Sequence, residues 1–144
     1  MAAQEPYLIL LPVDGSDSSV RAARHCAMLA KALGSRVLVM NVQPRIEAWQ
    51  THGIGQKAAE DHLNTLAKEA MDGAAGVLAG AGVEFESIVE FGDAPGAIAR
   101  VAAERKCSCV IMGTRGQGEF KGLVMGSVGM KVIHLVQVPI TFVH

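Results

Sequence analysis

Cys109-Val-Ile-Met-Gly-Thr-Arg-Gly-Gln-Gly-Glu-Phe-Lys-Gly-Leu-Val-Met-Gly-Ser127 joins an apolar run to a glycine-dense loop, and a helix-compatible stretch follows from Ser127. The order is strand, loop, helix start. Glycine lets the backbone take positive φ and approach a ligand closely, and a helix N-terminus presents unpaired N–H groups with about half a positive charge. Six glycines fall between Gly113 and Gly129, so this segment has the makings of an anion site, most often one for phosphate.

Familiar phosphate loops do not fit it. A P-loop places Lys directly after the second Gly of GxxxxG, yet Glu119 follows Gly118. The dinucleotide fingerprint GxGxxG fails as well, because Lys121 stands where a third Gly should follow Gly116 and Gly118. The spacing present is Gly113, two residues, Gly116, nine residues, Gly126, then Ser127.

The rest of the chain supplies the context. At 144 residues it is sized for one domain with one well-buried core, spanning 1–144. Half of the residues are apolar but only 4% are aromatic, which predicts a core of Ala, Val, Leu, Ile and Met. A formal charge of −1 gives no basic field for nucleic acid. No apolar stretch approaches membrane-spanning length, and Met1 to Pro6 lacks the pattern of a signal peptide, so the expected location is the cytoplasm with no membrane partner. Cys26, Cys107 and Cys109 make neither a disulfide framework nor a zinc set; they are expected to be buried thiols, the last two alternating on a buried strand.

Taken in order, Tyr7 to Val13 is an apolar run that ends at Asp14-Gly15-Ser16 and predicts a buried parallel strand. Ser16, Asp17 and Ser18 offer N-cap oxygens to a helix with Val20, Ala23, Ala27, Ala30 and Leu33 inward and Gly34 at its stop. Arg36 to Val42 is the second strand and Gln43 to Gly55 a loop. Residues Gln56 to about Gly80 are helical, with a stripe of Ala59, Leu63, Leu66, Ala70 and Leu78, and Gly73, Gly76 and Gly80 weaken the second half. Val83 to Val89 alternates as an edge strand does. Asp93 and Pro95 open a short helix with Ile98, Val101 and Ala102 inward. Ser108 to Met112 is the fourth strand, Ser127 to Leu135 the last helix, and Pro139 to Val143 the last strand. Lys131 and His134 are expected at the surface.

Five strands alternating with helices predict an α/β sandwich: a mainly parallel sheet with right-handed crossovers and helices on both faces. Ligands of such sheets bind beyond the carboxyl ends of the strands at a switch point. The glycine loop and the Asp14-Gly15-Ser16 turn are the two strand ends with ligand-like chemistry, and they would meet if the first and fourth strands were neighbours.

Over essentially its whole length the chain resembles the universal stress protein family, in its ATP-binding branch. The resemblance rests on Pro12-Val-Asp14-Gly-Ser16, Val39-Met-Asn-Val42, Gly92-Asp-Ala-Pro95, Met112-Gly-Thr-Arg-Gly116, Gly126-Ser-Val128, the G-x2-G-x9-G-S spacing and Val138-Pro-Ile-Thr-Phe-Val143. It implies a single-domain, three-layer α/β sandwich with strand order 3-2-1-4-5. It further implies that Asp14 and the backbone of Val42 contact adenine, with Pro12 shaping the base pocket. Gly113 would lie against the ribose, and Gly116, Gly126, Ser127 and Val128 would hold the phosphates, with Thr114 and Arg115 beside them. The implied ligand is ATP, with Mg²⁺, AMP or ADP as variants, and the implied assembly is a homodimer through Pro139–Val143.

Phosphoryl transfer needs a metal-held phosphate and an oriented nucleophile, and the sequence offers no evident second carboxylate. The expectation is a nucleotide-dependent switch in stress response or signalling with at most weak ATPase activity or autophosphorylation, on Ser127 or Thr114. Two alternatives remain at this point. Val13-Asp-Gly-Ser-Asp17-Ser-Ser is loosely similar to the SGGxDS loop of adenylating PP-loop enzymes, and an interaction module with an empty site would share the same fold.

Overall fold

The computed structural model describes residues 6–47, 55–114 and 126–144. Nine elements alternate: β1 (Leu8–Pro12), α1 (Asp17–Leu33), β2 (Arg36–Gln43), α2 (Gln56–Gly80), β3 (Phe85–Phe91), α3 (Ala94–Glu104), β4 (Cys109–Gly113), α4 (Ser127–Leu135) and β5 (Ile140–Val143). All pairings are parallel, in the order β3-β2-β1-β4-β5. The expected α/β sandwich, its strand order and the edge position of β3 are all present.

The strands read as continuous apolar runs because both faces of the sheet are covered. Ile9, Leu11, Val37, Val39, Cys109 and Ile111 pack beneath α1 and α2. Leu10, Leu38, Met40, Val110 and Met112 pack beneath α3 and α4 on the other face. Helix α1 presents Ala22, Ala23, Cys26, Ala27 and Ala30 to the sheet, a stripe of small side chains that lets it lie close. Ser16 caps it, accepting from the Ser19 N–H at 3.2 Å, and Gly34 ends it at φ 61°. Asp93 caps α3 in the same way, through the Gly96 N–H at 3.1 Å.

Several boundaries and stripes differ from expectation. Leu33 is 51% exposed, because the helix ends there rather than at the core. In α2 the buried line is Ala67, Met71, Ala74 and Leu78, so Leu66 is out of phase and faces solvent. The glycine-bearing second half of α2 is its better-packed half. A Cβ at Gly73 would stand 3.3 Å from Val20, so the missing side chain allows α1 and α2 to approach. Strand β3 starts at Phe85 rather than Val83, since Val83 donates its N–H to Leu78 and completes the turn after α2. Strand β2 runs one residue further than expected, to Gln43, whose carbonyl accepts the Gly92 N–H at 2.9 Å. Strand β4 is Cys109–Gly113 rather than Ser108–Met112, and β5 begins at Ile140. Part of the loop expected over Gln43 to Gly55 lies outside the described residues.

All three thiols are free and buried. Cys107 precedes β4, after the Lys106 turn at φ 53°, and joins the α3–α4 core rather than alternating with Cys109 along one strand. Burial pushes the Cys26 thiol up to about 12 and the Cys107 thiol to about 11. An acid whose folded value is raised stabilises the fold below its unfolded value, and that stability is lost as pH rises toward the folded one. Replacing Cys26 with Ala should therefore flatten the fall in unfolding free energy between pH 9 and pH 11, measured by urea titration. An unchanged slope would show that Cys26 ionises alike in both states.

Candidate functional site

Backbone polarity along a parallel strand decides what the carboxyl end of this sheet offers: each residue turns its N–H and C=O to one neighbour, and the next residue turns them to the other. The Ser108 N–H donates to Leu8 at 2.7 Å, so Leu8, Leu10 and Pro12 face β4. The β1–β4 register comprises Ile9 with Cys109 and Leu10 with Val110. Pro12, the next residue of β1 to face β4, has no N–H to donate and so ends that ladder.

The same parity places the facing groups. Val110 and Thr114 donate to Pro139 and Val143 of the β5 side, each at 2.9 Å, so the N–H and C=O of Gly113 turn toward β1. Met40 accepts from Val13 at 2.9 Å and Gln43 from Gly92, so the N–H and C=O of Val42 turn to the side from which β1 has departed. Two strand ends therefore aim backbone donors and acceptors into one crevice.

That crevice is a pocket with about 120 Å³ of open volume. Met40, Ile98 and Met112 line its apolar part, and of the candidate site residues Pro12, Asp14, Val42, Gly113, Thr114, Gly126 and Val128 border it. Ser127 is exposed and does not line it. Arg115 and Gly116 lie outside the described residues. Lys131 and His134 are exposed.

Asp14 is half-buried, and its Oδ1 accepts the Ser16 N–H at 2.9 Å, which fixes the turn after β1. At the opposite wall the Gly126 N–H donates to the Thr114 carbonyl at 2.7 Å, docking the start of α4 onto the end of β4. Gly126 is an N-cap without a side chain, and the first intrahelical bond is Met130 N–H to Gly126. Ser127, Val128 and Gly129 therefore have N–H groups with no acceptor inside the helix. The Thr114 hydroxyl is buried beside them with no hydrogen-bond partner among the described residues.

The sequence missed Asn41, Ser19, Ile98 and Gly129, which also line the pocket. Asn41 is 4% exposed, and its Nδ2 donates to the Val13 carbonyl at 2.8 Å. A polar residue inside an otherwise apolar strand was the one available signal.

The model of the universal stress protein family matches residues 8–144. The chain belongs to the universal stress protein family. A universal stress protein encoded beside a QAH/OAS sulfhydrylase in Thermus aquaticus is 32% identical over 136 residues, 94% of this chain and 96% of that one. Universal stress protein UspA from Lactobacillus plantarum has the same fold at TM-score 0.82 and 16% identity, covering 99% of this chain and 100% of that one. The Archaeoglobus fulgidus universal stress protein in complex with dAMP superposes at TM-score 0.74, with 23% identity over 96% of this chain and 98% of that one. A universal stress protein in complex with cAMP does so at 0.73, with 21% identity over 98% and 99%.

Gly113 holds the two sides of the site together. A Cβ there would stand 2.0 Å from Ser18 Oγ and 2.8 Å from the Ser18 carbonyl carbon, so rotating the serine cannot relieve the clash. Gly113→Ala should cost about 1–3 kcal/mol in chemical denaturation, and the double variant Gly113→Ala, Ser18→Gly should recover little of it. Full recovery would place the strain in the hydroxyl alone.

Proposed function

We propose that this universal stress protein binds an adenine nucleotide, ATP in the first instance, in the crevice between β1 and β4, and acts as a nucleotide-dependent switch in stress response or signalling. The observation that carries the reading is the crevice itself. It has an apolar floor for a planar base, a carboxylate and a strand end at one wall, and at the other a helix start without a side-chain cap and a buried hydroxyl with no partner among the described residues. The Asp14 carboxylate and the Val42 C=O accept from an amino group while the Val42 N–H donates to a ring nitrogen, the pattern that the adenine edge complements. The N–H groups at the start of α4 suit an anion. Structures of the same fold solved with dAMP and cAMP support the choice of base.

Hydrolysis is slow or absent in this reading. Asp14 is the carboxylate that borders the pocket, and no group of three or more His, Cys, Asp or Glu suited to a metal occurs among the described residues. This donor set fits a nucleotide better than a Mg²⁺ ion held by protein groups. Turnover of ATP at about 1 s⁻¹ or faster would contradict the switch.

The homodimer through Pro139–Val143 and a cytoplasmic location belong to the same proposal. The two sheet edges differ: β3 carries Glu86 and Glu90, paired with Arg105 at 2.6 Å and Arg100 at 2.8 Å, whereas β5 is Ile140-Thr-Phe-Val143 without a charge. An uncharged edge is the one suited to pairing with another chain. Among the described residues, no helix is long and apolar enough to cross a membrane.

Thr114 makes the test specific. Thr114→Val keeps the shape but removes a hydroxyl whose burial without a partner costs about 1–3 kcal/mol. The variant should melt at or above the wild-type temperature when empty, and gain less than wild type from millimolar ATP. If ATP, ADP and AMP all leave the wild-type melting temperature unchanged, the reading is wrong.

A further inference from the structure

The end of β1 is fastened to β2 by two bonds of different kinds. The Val13 N–H donates to the Met40 carbonyl at 2.9 Å as a continuation of the ladder. The Val13 carbonyl, with no backbone donor among the described residues, accepts instead from the Asn41 side chain at 2.8 Å. A carbonyl can only accept, so the Asn41 amide nitrogen is fixed toward Val13 and its oxygen must look elsewhere. It accepts from Gln43 Nε2 at 2.7 Å. Gln43 is anchored in turn through its own carbonyl, which accepts the Gly92 N–H of the β3–α3 turn. The chain Gln43 to Asn41 to Val13 spans β2 and ends one peptide before Asp14.

Its position gives it a consequence for recognition. Asn41 immediately precedes Val42, and Val13 immediately precedes Asp14, so a single buried side chain ties together the two groups that share the wall facing the base edge. We infer that Asn41 is a positioning residue that sets the base selectivity of this site, holding the Asp14 carboxylate in register with the Val42 backbone. The inference rests on the adenine reading proposed above. Adenine presents a donor where guanine presents a carbonyl oxygen, and an acceptor where guanine presents an N–H. A carboxylate held beside that first position favours adenine and repels guanine. Once the turn after β1 is free to shift, the carboxylate can avoid the guanine oxygen, and discrimination falls more than affinity in general.

An aspartate at position 41 keeps the size but has no donor at neutral pH, and a leucine keeps the bulk with no polar atom. Gln43→Met is a milder change at a half-buried position, which removes the bond that orients the Asn41 amide while leaving Asn41 in place.

The test is calorimetric titration of the full chain with ATP and with GTP, for wild type, Asn41→Leu, Asn41→Asp and Gln43→Met. Wild type should prefer ATP. The ratio of the two dissociation constants should fall about tenfold in both Asn41 variants, the worth of roughly one net hydrogen bond, and by a smaller factor in Gln43→Met. Should an Asn41 variant fail to fold, the Gln43→Met ratio decides. Equal weakening of ATP and GTP, or a ratio preserved in every folded variant, overturns the inference while leaving the site intact. A wild type that binds neither nucleotide contradicts the reading of the site and this inference together.

Discussion

Everything at the carboxyl end of this sheet follows from where β1 stops pairing with β2 on one side and β4 on the other. The β1–β2 ladder runs to Pro12 with Met40 and the β1–β4 ladder to Leu10 with Val110, and the strand order on either side of β1 reverses the direction of the crossovers. Parting the strands leaves backbone groups without neighbours, and buried backbone groups must find partners. Asn41 answers for Val13. The N–H and C=O of Val42 and Gly113 face the opening instead, and that opening is the pocket. Proline at position 12, without an N–H to donate, ends the β1–β4 ladder at the edge of the pocket that it borders.

Packing keeps the opening from closing or widening. Helix α1 lies on β4 closely enough that Gly113 has no room for a side chain against Ser18. On the far side, the bond from Gly126 to the Thr114 carbonyl sets the distance between the end of β4 and the start of α4. The two helices that flank the crevice are thus fixed by short contacts to two successive residues, α1 to Gly113 at the end of β4 and the start of α4 to Thr114 just beyond it. The Thr114 hydroxyl between them is buried with no partner among the described residues, a position where a bound group could supply one.

Much of this was legible in the sequence because the decisive residues have unusual chemistry. The caps at Ser16 and Asp93 and the helix stop at Gly34 each have a single physical use, and each stands where its use required. Lines of Ala and Gly gave no such contrast, and the phase of α2 slipped by one residue at Leu66 for that reason. Val83 looked like the start of a strand since a buried valine reads alike in a strand and in a helix-ending turn. Asn41 was invisible in another way: its role depends on which carbonyl β1 abandons, and periodicity carries no information about that. Strand adjacency came from family resemblance, and the backbone parity that gives Val42 and Gly113 their direction came only with the coordinates.

We propose that the groups left where β1 ends its pairing with β2 and β4 are the ones a nucleotide occupies. Backbone amide resonances of the full chain, followed by NMR during titration with ATP, test it residue by residue. The account predicts saturable shifts at Val42, Gly113, Val128 and Gly129, with Val37 and Cys107 at the opposite end of the sheet unmoved. Shifts confined to that opposite end, around Arg36 and Lys106, or none at millimolar ATP, would contradict it.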